Sequence, residues 1–397
     1  MRTKKVTWLL LMGVLGAFFA ACAPVTPPPE DKTDKTDEEA PTPVLHLPEV
    51  LHTPRDDKVT PAQARVRAAI DAVRRRELLM THGFWTVFHG ILGLGPSLQL
   101  RNDMTGERVN AMDYIFAGGE MRGLGFLPTK YGLDVPSAKD GIGVGQGHQD
   151  QFVAEMGQWG MPADRKVIVL GKEYTFMDFV RESQMRASVN PKRNQELSWA
   201  VIVVGQYVGT DVTWTNMFGE KLHYEDMIRY ELDQSVENAA CGGTHRLFGL
   251  TWSYYLHLNR GGKAEGVWKE VVEKIAKYRD NAKEHQNPDG SLSTDFFKGP
   301  GNSQDKSLRI NTTGHMLEWL ALALTDEEIK EQWVEDAAVA LSQMILDVEG
   351  SPVAGGTLYH AVHGLLMYHA RVYGTEWLGL NNPVIPLPRS LQAKTGP

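Results

Sequence analysis

Nearly uncharged stretches alternate with two-faced ones along most of this chain. Residues 242–258 set the pattern: His245, Phe248, Gly249, Trp252 and Leu256 recur at spacings of three and four with little charge between them. Such a segment predicts a helix covered on most sides. A Gly-flanked start, an early histidine and an apolar run recur at 81–92 with His82 and His89, at 314–324 with His315, and at 356–368 with His360 and His363. Two-faced segments lie between them. Residues 60–76 open on Thr60, Pro61 and Gln63, a capping-box arrangement, and line Val66, Ile70 and Val73 along one face. Residues 263–284 do the same with Val267, Val271, Ile275 and Tyr278, and capping boxes at Thr175–Asp178 and Thr325–Glu328 start two more outer helices. Shorter helical stretches are expected at 110–117, 196–205 and 224–238.

Inner helices centred near residues 87, 153, 202, 250, 318 and 365 repeat at roughly fifty to sixty residues. Stacked helix pairs form an open solenoid or a closed ring, and six pairs with nearly uncharged inner members favour the ring. The expected fold is therefore all-α, an (α/α)6 toroid over 59–375, with a small β-hairpin at 166–174 turning at Gly171. Long loops at 118–147, which holds nine glycines, at 286–310 and at 348–357 lead into inner helices. Inner helices that run in one direction gather their N-termini, and these loops, at one mouth. Function is expected there.

Converging helix N-termini favour an anion and keep imidazoles neutral. The ligand-binding candidates are His82, His148, His245, His315 and His360, with Arg246 and Arg309 as carboxylate or phosphate clamps. Trp252 is the aromatic candidate, among Trp85, Trp199, Trp319, Tyr254, Tyr255 and Phe296, for lining a sugar or isoprenoid cavity or for packing the core. Asp150, Asp295 and Glu318 are the candidate catalytic acids or bases. Each has a structural alternative: Asp150 as a helix cap, Asp295 as a solvated loop acid, Glu318 as a partner of a neighbouring helix. Cys241 is either a buried small thiol or, with His245 and His315, a zinc ligand; no metal or other cofactor is the adopted reading.

Composition supplies the address. The chain has 397 residues, 42% hydrophobic and 23% charged, with net charge -8 and no sustained basic run, which argues against nucleic acid. Arg2, Lys4 and Lys5 precede an apolar run too short for a comfortable membrane span, which ends at Ala20-Ala21-Cys22. This is a signal peptide over 1–21, cut either at Cys22 or, as an ordinary secretory signal, near the Ala-rich end. Its end resembles a bacterial lipoprotein lipobox, with Phe19 where that motif usually has Leu, and the resemblance implies lipidation at Cys22. The Pro-rich, acidic segment 22–58 reads as a tether, and 376–397 as a C-terminal tail. With Cys22 lipidated, Cys241 is the one thiol left, so no internal disulfide forms.

The turn Gln286-Asn-Pro-Asp-Gly-Ser-Leu292 resembles the QW-type repeat of squalene-cyclase and prenyltransferase toroids, with Leu292 where an aromatic usually ends it. Similar turns occur in α/α-toroid glycoside hydrolases of the six-hairpin type and in polysaccharide lyases. The resemblance implies a toroid and discriminates poorly among chemistries; the expected activity at its mouth is that of a hydrolase, lyase or isomerase acting on a glycan. The acidic Asp-x-Asp-Asp signature of squalene-type cyclases is absent, which weakens an isoprenoid reading. The expectation is a lipid-anchored envelope protein, membrane-bound through Cys22 and leaning to the outer membrane, whose mouth binds a glycan or other anionic small ligand. The alternative is a non-catalytic envelope scaffold or binding lipoprotein.

Overall fold

The computed structural model describes residues 59–137 and 145–379. The signal peptide, the tether, Cys22 and most of the C-terminal tail lie outside the described residues. What is described is mostly helical, and no described helix is long and apolar enough to cross a membrane.

More deeply buried helices alternate with two-faced ones in chain order. α1 (Pro61–Arg74) starts where expected, the Thr60 hydroxyl accepting from the Gln63 N–H at 3.1 Å, and buries Val66, Ala69, Ile70 and Val73. α2 (Phe84–Leu94) is buried along nearly its whole length. α3 (Ala111–Phe116) is short, and every residue of α4 (Gln151–Gln158) is buried. α5 (Phe176–Arg186) carries the expected Thr175–Asp178 capping box. α6 (Ala200–Tyr207) is wholly buried, whereas α7 (Tyr224–Asp233), capped by His223 and Asp226, is two-faced. The remainder are α8 (Thr244–Asn259), α9 (Val267–Glu284), α10 (Lys306–Ala323), α11 (Gln332–Leu346) and α12 (Gly355–Tyr373).

The even-numbered helices pack in order: α2 on α4, α4 on α6, α6 on α8, α8 on α10, α10 on α12, and α12 on α2. Odd-numbered helices lie against them, with α1 also touching α11, and α7 touching α9. Such a pattern follows from the side chains. An uncharged helix gains by burial on every side, while a two-faced helix covers it with one stripe and gives the other to water.

Two expectations change. α10 begins at Lys306, capped by Asp305, eight residues before Gly314. Gly314 is instead a point of close helix approach, since a Cβ there would stand 2.6 Å from Ala361 Cβ, and one at Gly364 would stand 2.8 Å from the Glu318 nitrogen. The reciprocal Thr325–Glu328 cap does form, with N–H contacts of 2.8 and 3.2 Å, but it closes a 3-10 turn at Glu328–Lys330, and α11 starts at Gln332. The hairpin pairs Lys166–Val169 with Lys172–Thr175 and turns through Leu170 and Gly171, both left-handed. Other short strand pairings, such as Thr213–Thr215 with Lys221–His223, were not expected from the sequence.

Gly249 makes a similar close approach, because a Cβ there would lie 2.2 Å from the Ser198 carbonyl oxygen, joining α8 to the entrance of α6. Gly249→Ala is expected to cost about 1–3 kcal/mol through forced backbone movement. The measurement is the urea midpoint, which should fall at unchanged m.

At the far end of α12, His369 donates from Nδ1 to the Gly374 carbonyl at 3.1 Å and accepts at Nε2 from Arg67 Nε, also at 3.1 Å. Burial, and then the Arg67 charge, lower its pKa to about 4. The unfolded chain therefore takes up the proton first, so this contribution to stability is full above pH about 6.5 and is lost as pH falls towards about 4. Its size is on the order of 3 kcal/mol. His369→Gln should flatten the difference in urea midpoint between pH 7.5 and pH 5, and an unchanged difference would count against the assignment.

Candidate active site

The turn that opens α8 is conformationally unusual. Cys241, Gly242 and Gly243 all have left-handed backbones, at φ 49°, 62° and 84°. For the two glycines this is free, but for Cys241 it costs roughly 1–2 kcal/mol. The Thr244 hydroxyl donates to the Cys241 carbonyl at 2.8 Å and holds the turn. Phe296, also left-handed at φ 54°, lies against Gly242, where a Cβ would come within 2.0 Å of its ring. Strain of this kind persists where the surroundings over-determine it, and it concentrates at functional sites.

The thiol on this turn has partners. Cys241 Sγ lies 4.0 Å from His148 Nε2, and His148 Nδ1–H donates to Glu196 Oε2 at 2.8 Å. The His148 and Glu196 side chains are 20% and 27% exposed, so solvent reaches both. Burial opposes a charged His148, but Glu196 and Cys241 outweigh it and hold the imidazole pKa well above its ordinary value. Burial likewise opposes the Glu196 charge, and His148 with Arg246 overcomes it and lowers that pKa.

Several structural groups fix this relay. Asp150 precedes α4 with a left-handed backbone and is bound by Arg186 of α5 at 2.9 Å, which anchors the turn carrying His148. Glu231 of α7 is fully buried and accepts from the Leu197 N–H, the Ser198 hydroxyl and Arg246 Nε at 2.9, 2.9 and 2.8 Å. Glu196 is thereby held on a segment pinned from both α7 and α8.

A file of imidazole rings runs inward from His148. Ring centroids are 4.8 Å apart from His148 to His245, 5.5 Å to His315, 4.2 Å to His360 and 5.2 Å to His89. Most are oriented by the nitrogen that points away from the file. His89 Nδ1–H donates to the Trp85 carbonyl at 2.7 Å, and His315 Nδ1–H to that of Asn311 at 2.8 Å. Glu318 accepts from Nδ1 of both His360 and His363, at 2.8 and 2.6 Å. Gln151 donates to His89 Nε2 and to Glu155. Neither ring nitrogen of the buried His245 has a partner among the described residues, nor has Glu155 Oε2. Burial lowers the pKa of His89 and His245 well below the usual range and that of His315 to about 3. Burial raises Glu155, whereas Glu318, which burial would also raise, is held low by His360 and His363.

Of the residues expected from the sequence, His148, His245, His315, His360 and Glu318 are brought together. The rest stand elsewhere. His82 sits before α2 and accepts from the Leu79 N–H at 3.1 Å; His89, seven residues on, holds the place in the file. Arg246 is engaged by Glu231 and by the Ser235 carbonyl. Arg309 braces the 286–292 turn through Asp289, Ser291 and Asn302. Trp252 is buried, donating to Gln206 at 3.1 Å and stacking on Phe248. Asp150 is in its ion pair, and Asp295 is exposed on a loop beside Gly301.

Sequence reasoning missed His89, His363, Glu155 and Glu196, and it weighed Cys241 only as a zinc ligand or a packed thiol. His89 and Glu155 did carry a signal, since each is a lone titratable group inside an otherwise uncharged helix. Comparison with protein-family models, curated proteins and solved structures found no match for this chain.

A crevice too narrow for a water molecule adjoins the file, lined by Gln158, Trp199, Thr244, His245, Phe248, His315 and Glu318.

Proposed function

We propose that this chain is an (α/α)6 toroid, held at the bacterial envelope by lipid on Cys22, whose mouth carries a cysteine-dependent acyl-transfer site. The strict outer–inner alternation and the packing of α12 back on α2 support the ring. The Lys- and Arg-led apolar run ending in Ala-Ala-Cys22 supports the anchor.

One observation carries the activity: the Cys241–His148–Glu196 relay, with its 4.0 and 2.8 Å contacts, on a strained turn opening a sixteen-residue helix. Nucleophile, base and orienting carboxylate in that order constitute the triad logic of thiol and serine acyl transfer. Cys241 sulfur, whose proton His148 already holds in a thiolate–imidazolium pair, attacks the carbonyl carbon of an ester or amide. The positive end of α8 stabilises the oxyanion. His148 then returns the proton to the leaving alcohol or amine, and water, activated by the same imidazole, hydrolyses the thioester. Glu196 fixes the His148 tautomer and offsets its charge.

This reading keeps a hydrolase at an envelope glycan but moves its chemistry from carboxylates to a thiol. Asp150 is already committed to its ion pair with Arg186, and Glu318 to hydrogen bonds from His360 and His363, which removes support from a two-carboxylate glycosidase. The test is mass spectrometry of the protein mixed with short-chain p-nitrophenyl esters and O-acetylated oligosaccharides. An acyl adduct on Cys241 that decays with turnover is expected. No adduct and no turnover with any acyl donor would return the protein to the scaffold reading.

A further inference from the structure

We propose that His245, His315 and His360 form a binding site for a divalent first-row metal ion, with Zn²⁺ the ion that best fits the donors. The site is separate from the thiol relay and does not depend on it. The inward-facing nitrogens of these three buried residues all lie within 4.8 Å of one another.

Hydrogen bonding assigns their tautomers. A carbonyl only accepts, so the Asn311 contact places the His315 proton on Nδ1 and leaves the Nε2 lone pair facing inward. The Glu318 carboxylate does the same for His360. Metal-bound histidines are typically oriented in this way, by a carbonyl or carboxylate on the far nitrogen. Glu318, secured on its other oxygen by His363, also supplies a negative charge directly behind a ligand.

His245 is the independent observation. It is 3% exposed, yet both of its ring nitrogens lack a partner among the described residues. A cation held by the His315 and His360 lone pairs gives one of these nitrogens a partner, while the other carries the N–H. Tetrahedral zinc, with Zn–N near 2.0–2.1 Å, needs nitrogens about 3.3 Å apart, which small side-chain rotations supply.

Neighbouring groupings fit less well. His89, Glu155 and His360 also cluster within 4.8 Å, but Gln151 already occupies His89 Nε2 and one Glu155 oxygen. In the third grouping, His148, Cys241 and His245, the thiol and His148 already face each other. His360 offers one free nitrogen, so it serves one ion.

The test is titration of metal-stripped protein with Co²⁺, followed by visible absorption, with Zn²⁺ as competitor. One equivalent of Co²⁺ should bind, giving d–d bands without a thiolate charge-transfer band, and Zn²⁺ should displace it. His315→Gln and His360→Gln should each weaken binding at least about 100-fold, and Glu318→Gln about 10–100-fold. Cys241→Ser, which removes the nucleophile, should bind Co²⁺ as the wild type does, so the two proposals fail separately. A thiolate band, loss of binding in Cys241→Ser, or no uptake by wild type would overturn the site. The wild-type spectrum decides the ligand type even if a histidine variant fails to fold.

Discussion

Replacing Cys241 by serine is expected to lower kcat/KM for the best acyl donor by roughly 10³-fold or more, while the urea midpoint stays within about 0.5 kcal/mol of wild type. The size follows from the geometry. At 4.0 Å from His148 Nε2 the sulfur stands beside the imidazolium that balances a thiolate, and sulfur is the stronger nucleophile of the pair at neutral pH. Stability should hold because the half-buried side chain changes by one atom, and the turn is secured through the Cys241 carbonyl by Thr244. Glu196→Gln gives a graded companion. A glutamine oxygen still accepts from His148 Nδ1, but the charge that balances the imidazolium is gone, so a loss of roughly 10²–10⁴-fold in kcat is expected with little change in KM. Equal activity in wild type and Cys241→Ser would sink the thiol mechanism. A loss in Glu196→Gln confined to KM would place that carboxylate in binding instead.

The helices were legible because burial leaves a direct trace. A helix covered on most sides carries little charge, so α2, α6 and, apart from Arg246, α8 stood out by what they lacked, and the two-faced helices by their single stripe. Glycine misled at 314 because an inner-helix glycine can mark close packing as easily as a helix start, and only the facing Ala361 distinguishes them. Strands of two or three residues leave no periodicity long enough to read.

The site was legible in part for a related reason. Histidines at equivalent places in repeated helices stood out, and His148, His245, His315 and His360 do meet. Which charged groups were spent on structure was not readable, because Arg246 and Glu231 are fifteen residues apart on different helices. Glu196 stood at the expected start of the 196–205 helix, where an acid ordinarily serves the N-terminus, whereas α6 starts at Ala200 and leaves Glu196 free to hold His148. Cys241 gains its chemistry from a residue ninety-three positions away and from a backbone twist that its sequence does not advertise.

The largest stability effect is expected from Glu231→Ala, at about 3–5 kcal/mol, because it leaves the Arg246 guanidinium buried without its counterion. Glu231 has no exposed surface, and Arg246 is 7% exposed. Burial raises the Glu231 pKa and Arg246 pulls it back, so the ionised pair already bears a desolvation cost that only the complete network offsets. Removing the carboxylate also strands the Leu197 N–H and the Ser198 hydroxyl at the entrance of α6. Since that entrance carries Glu196, a destabilised variant that still folds should lose acyl transfer as well. Glu231→Gln, which keeps an acceptor but not the charge, should fall between wild type and alanine. Paired removal, Glu231→Leu with Arg246→Met, should recover part of the loss, because no unpaired charge remains inside, though the two orphaned donors keep it below wild type. Urea unfolding of the four proteins at pH 7 decides the matter. A double variant no more stable than Glu231→Ala would show that the cost lies in the α6 donors rather than in the stranded charge.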